Sequence, residues 1–151
     1  MSFAIKRIEE LITDLKEKQT IGHAEKEAKK LKPLIDQAGK FMMNMKDIDP
    51  KTRGQYLDKL VDIQKQLNNG IAKEENYLSN VAKLASKSQD LKLKIYQDKP
   101  DKLDQIKKLS SQKSKDLDEF KENWIARPKV FVKKIETLKD HAQQKPTLYH
   151  R

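Results

Sequence analysis

The sequence predicts an all-α protein, an elongated antiparallel bundle of three helical segments packed in a coiled-coil manner. Three observations carry this. Apolar side chains recur at alternating three- and four-residue gaps along much of the chain, the spacing that sets them on one stripe of a helix facing another helix. Charged residues make up 37% and apolar ones 36% of the 151 residues, with only 4 Gly and 5 Pro, a balance close to that of long helices. Two strong turn signals, Asp47-Ile48-Asp49-Pro50 and Asp98-Lys99-Pro100-Asp101, then cut the chain into three segments, each roughly 65–75 Å long if helical throughout.

The first helix is expected to start at Ser2, a good N-cap, with the stripe Ile5, Ile8, Ile12 and Leu15 supported by Ala4 and Leu11. The next stripe is the most regular in the chain: Ile21, Ala24, Ala28, Leu31, Ile35, Ala38, Met42 and Met45. The two do not join. At about 100° per residue Ala24 lies opposite Leu15, so one straight helix would aim its two halves at different neighbours. A break near Gln19-Thr20-Ile21-Gly22, with Thr20 as a new N-cap, is expected; the alternative is one long helix with a change of phase. Pro33 interrupts the second stripe without shifting its phase, which predicts a kink rather than an end.

After the first turn, with Asp49 as N-cap and Pro50 at the first helical position, Leu57, Leu60, Leu67, Ile71, Leu78, Val81 and Ala85 form the second segment's stripe, interrupted by Gln64 and Glu74. Asn68-Asn69-Gly70 reads as a stop or a bend. In the third segment the stripe runs through Leu103, Ile106, Leu109, Leu117, Phe120, Trp124, Phe131, Ile135 and Leu138, with Lys113 at one stripe position and Pro128 as a kink or restart. Counted along the chain, Gly70 and Pro128 fall side by side and Pro33 about two turns away, so a bend is expected where the three interruptions gather. One domain over residues 1–145 is expected, with a flexible tail at 146–151. The arrangement resembles, in shape alone, the three-helix antiparallel coiled coils of spectrin repeats and the bent BAR bundles; no residue motif carries either family's function across.

The bulk numbers exclude more than they assign. There is no Cys, and so no disulfide framework, thiolate metal site or Cys nucleophile. No apolar run reaches signal-peptide or membrane-span length; the chain is expected to be soluble, and cytoplasmic or exported without a cleaved signal. Net charge is +10, of which residues 127–151 supply half, with seven Lys or Arg against two acids. Only Arg7, Arg53, Arg127 and Arg151 are arginine, which disfavours sequence-specific nucleic-acid reading, where the guanidinium fork dominates. The four glycines are isolated, without a phosphate-cradling loop or a nucleophile elbow. His23 and Glu27 share a helix face, but two ligands do not make a metal site, and acid pairs such as Glu9-Glu10 lie among lysines that account for them. No enzyme, cofactor or metal is expected.

What remains is binding. The sequence predicts a non-catalytic interaction module that takes another protein, or a second copy of itself, on an apolar helix face. Its candidates are Phe41, Met43, Val130 and Val132, apolar residues that fall off the stripes. The alternative is a peripheral binder of anionic membranes through the basic amphipathic stretch 127–142, with Lys129, Lys133, Lys134 and Lys139 on the surface and Trp124 as the interfacial anchor.

Overall fold

The structure, a computed structural model, describes residues 2–149, and side chains through Ala142. Helix α1 runs Phe3–Met43, α2 Pro50–Ile95, α3 Pro100–Lys121 and α4 Arg127–Tyr149, with a π-helical turn, Glu122–Ala126, joining α3 to α4. There is no strand among the described residues. The three segments run up, down and up. Phe41 meets Tyr56 at one end of the α1–α2 pair and Arg7 meets Tyr96 at the other, while Gln64 reaches Glu136 and Gln89 reaches Ser110 across α2 and the third segment. The all-α antiparallel bundle is thus as expected.

Local chemistry explains most boundaries. The Ser2 hydroxyl accepts from the Ile5 N–H at 3.3 Å and Asp49 from the Thr52 N–H at 2.7 Å, with Pro50 opening α2. The Thr52 N–H, with the Thr52 hydroxyl, holds the Asp49 carboxyl below its usual range. The third segment departs from the pattern: Lys99, not an aspartate, sits at the N-cap and makes no side-chain cap bond, so Pro100 and Asp101 in the first turn begin α3.

Several expected breaks are not helix ends. Helix α1 passes through Thr20 and Gly22 without interruption, and the Thr20 hydroxyl donates to the Lys16 carbonyl at 2.8 Å instead of capping a new helix. Helix α2 passes through Gly70. That glycine marks a close approach rather than a stop: a Cβ there would collide with Cδ2 of Leu31, a side chain that is itself buried. Leu31 lies two residues before Pro33, and Lys129, next to Pro128, pairs with Glu75, so the three interruptions do gather at one level of the rod. Before Pro128, which is fully buried, the Arg127 N–H donates five residues back to the Glu122 carbonyl. This wider π turn relieves the collision that a proline ring makes with the carbonyl four residues before it. Helix α4 continues through Pro146 to Tyr149; His150 and Arg151, the end of the expected tail, lie outside the described residues.

The main core cluster lies in one half, and Leu78, Val81, Leu91 and Ile106 continue the buried line in the other. Leu31, Ala38, Leu60, Ile63, Leu67 and Ile135 are buried together, with Trp124, Phe131 and Val132 among the side chains packed against them. Of the two polar interruptions in the α2 stripe, Gln64 is satisfied, donating to the Val132 carbonyl at 3.2 Å and to Glu136 at 2.9 Å. Glu74 is not: it is fully buried, neither carboxyl oxygen has a partner, and burial, with the nearby Glu27 charge, pushes its pKa up to about 7.

Candidate docking face on the N-terminal third of α1

Because α1 does not break at Gly22, the opposition between its two stripes has to be resolved within one rod. The line of Ala24, Ala28, Leu31 and Ala38 packs inward. Continued toward the N-terminus, that same line consists of Glu10, Thr13 and Glu17, all buried. Three of the four stripe residues stand two positions from an acid, Ile8 from Glu10, Ile12 from Asp14 and Leu15 from Glu17, which is about 200° around the helix. The acids therefore face the bundle and the apolar side chains face away. Ile8 and Leu15 are each 56% exposed, and Ile5, Leu11, Ile12 and Phe3 are exposed as well.

Charge pairing holds this inverted segment in place. Lys92 of α2 sets its ammonium 2.8 Å from both Asp14 oxygens, donates to Ser88, and lies 3.8 Å from Glu10. Arg7 reaches Glu10 at 2.8 Å and the Tyr96 hydroxyl at 3.0 Å. Lys113, the lysine that interrupts the third segment's apolar stripe, meets Glu17 at 3.1 Å. Burial pushes the Asp14 carboxyl up, but the hydrogen bonds from Lys92 and Ser88 outweigh it and leave Asp14 below its usual range. Removing charged groups from water offsets most of what such pairs gain, so the contact fixes orientation more than it adds stability.

Beside this zipper, α3 leans lightly on α2 and stands off α1. An apolar groove of about 500 Å³ opens between the three helices, with the small Ala24, Ala82 and Ala85 on one wall and Ile106, Leu117 and Phe120 on the other. Lysine and serine at its polar end, Lys92, Lys113, Ser88 and Ser110, replace the large aliphatic residues that close the other half of the rod.

The residues expected to form a protein-binding patch are not brought together. Phe41 is half-buried against Tyr56, ring centroids 5.1 Å apart, and Val132 is half-buried against the core. Met43 is 80% exposed and Val130 51%, but Met43 ends α1 beside the first turn whereas Val130 lies at mid-rod on α4. Among the residues expected at a membrane, Trp124 packs against the core, Lys129 pairs with Glu75 at 3.2 Å, and the Lys134 ammonium sits 5.5 Å over the Phe131 ring. Lys129, Lys133 and Lys139 share roughly 120° of the α4 circumference, with Lys134 on the far side. His23 stacks on Tyr77 at 6.4 Å, and Glu27 pairs with Lys30 at 3.0 Å. No helix among the described residues is long and apolar enough to cross a membrane.

The α1 face was hidden in the sequence because Ile5, Ile8, Ile12 and Leu15 look like any core stripe. The signal that gives it away is the phase opposition between Leu15 and Ala24, which becomes an outward face once the helix is continuous. No family model matches this chain, and neither a curated protein nor a solved structure matches it.

Proposed function

We propose that this protein is a non-catalytic helical-bundle interaction module, and that it binds its protein partner on the outward face of the first third of α1. One observation carries the reading: Ile5, Ile8, Leu11, Ile12 and Leu15 form a continuous exposed apolar stripe on a helix whose polar side is turned into the bundle. Contiguous exposed apolar surface of a few hundred Å² marks an interaction site on a water-soluble protein, and an apolar stripe at helical spacing is suited to another helix or a groove.

The test compares the immobilised wild-type chain with the double variant Ile8→Glu/Ile12→Glu on extract of the cells that make it, followed by titration of any purified candidate. The expected result is at least one protein that binds the wild type directly and is lost with the variant. Identical retention by both chains would refute the docking face.

A further inference from the structure

We propose that the occupant of this face is a second copy of the chain, packed antiparallel along the first third of α1; the inference rests on reading that stripe as a docking face. Ile5, Ile8, Ile12 and Leu15 recur at gaps of three, four and three, which is a coiled-coil seam and packs best on a seam of the same period. The same helix of another copy supplies one. In the antiparallel pairing Ile5 faces Leu15 of the second copy and Ile8 faces Ile12, each twice, and the contact closes on itself by a two-fold axis.

Charge singles out the same place and the same direction. The chain carries +10, yet the seam positions Ile5, Ile8, Ile12 and Leu15 carry no charge, and antiparallel pairing sets Lys16 at the level of Ala4 rather than against its own copy. The inward acids Glu10, Asp14 and Glu17 are already matched by Arg7, Lys92 and Lys113. Further along α1 the outward face turns basic: Lys26 and Lys30 lie about five full turns beyond Ile8 and Ile12 on the same line, and both are exposed. Parallel pairing would set Lys26 and Lys30 against their own copies. Antiparallel pairing centred between Ile8 and Ile12 carries these lysines past the end of the partner helix.

The size fits a reversible dimer. Five side chains, each about half exposed, offer on the order of 500 Å² per copy, so two copies approach the roughly 1,000 Å² that a specific interface needs. Ala4, Glu9, Lys16 and Gln19 along the edges add to it.

The experiment is sedimentation velocity on the full chain from low micromolar to submillimolar concentration, with disulfide trapping for direction. Because the chain has no Cys, single substitutions Ile5→Cys and Leu15→Cys are clean probes. The expected results are a weight-average mass rising from one chain toward two, loss of that rise in Ile8→Glu/Ile12→Glu with helicity unchanged, and disulfides that form between I5C and L15C in a mixture faster than within either variant alone. A wild-type chain that stays monomeric throughout, a double variant that still dimerises, or I5C linking to itself fastest would each overturn the proposal. Binding of monomer to anionic phospholipid vesicles through the stripe would overturn it as well, by assigning the face to a membrane. A monomeric wild type whose stripe still captures another protein would sink the self-pairing alone and leave the docking face standing.

Discussion

Around Leu31, Leu67 and Ile135 the three segments close over branched aliphatic side chains, whereas around Asp14, Lys92 and Lys113 fewer aliphatic residues are buried, Leu78, Val81, Leu91 and Ile106, and ion pairs stand beside an open groove. The difference comes from what each means of attachment is worth. Burying a Leu or Ile side chain contributes roughly 1.5–3 kcal/mol, while an ion pair that keeps some access to water contributes about 0–1 kcal/mol. Stability is therefore concentrated at the Leu67 level. The half that carries the proposed docking face is expected to open locally at lower cost. One region specifies the fold and the other presents a surface.

The sharpest way to break this contrast is paired truncation. Leu67→Ala should cost about 2–5 kcal/mol in denaturant unfolding, because Leu67 is fully buried within the main core cluster. Leu15→Ala, a change of the same chemistry on the exposed stripe, should stay within about 0.5 kcal/mol for the monomer. Equal losses would mean that the stripe is core and that the helix is turned the other way.

Glu74 sharpens the comparison next, since it is a buried acid in the line of α2 that faces the core. Its folded pKa is raised to about 7, so the folded state holds the proton more tightly than the unfolded one. The protonated group's contribution is fully present below its ordinary pKa and lost as pH rises through about 7. Glu74→Gln should remove that dependence and make the protein about 2–3 kcal/mol more stable at pH 8, with little change near pH 4. A wild type whose stability is flat from pH 5 to 8 would show that Glu74 is not isolated.

Gly70 should tolerate little. Alanine favours the helix by up to about 1 kcal/mol, but its methyl meets Leu31, and overpacking costs about 1–3 kcal/mol. A net loss of about 1 kcal/mol for Gly70→Ala is expected by thermal or denaturant unfolding, and a gain would place the α1–α2 crossing further apart.

The smallest effect falls on the zipper. Asp14→Asn should change global stability by less than about 1 kcal/mol while raising amide hydrogen exchange in residues 3–20 several-fold. Since the Asp14 pKa is depressed in the folded state, its contribution is present above its ordinary range and lost as pH falls through the folded value. Acid should therefore release the first third of α1 before Trp124 fluorescence reports loss of the core.

Much of the fold was legible. The two proline turns, the three segments and the aliphatic positions at Leu31, Leu60, Leu67 and Ile135 come from spacing and capping chemistry, which act within a few residues. The continuity of α1 and α2 was not, because Thr20 and Gly70 are ambiguous locally. A threonine either caps a new helix or bonds back into the preceding turn, and a glycine ends a helix or admits a neighbour according to the side chain that stands opposite. Nor was the candidate site: Phe41 and Val132 looked surplus to the stripes until Phe41 was seen to pack on Tyr56 and Val132 against the core.

The sequence by itself determined the helices, their amphipathic periods and their turns, since each is set by interactions between near neighbours in the chain. Only the tertiary structure decided which face of the first third of α1 turns inward. That choice depends on Lys92 and Lys113, far along the chain, meeting Asp14 and Glu17. Charges paired across helices leave no periodic mark on either one, and so an apolar stripe that looks like core becomes the surface of the molecule.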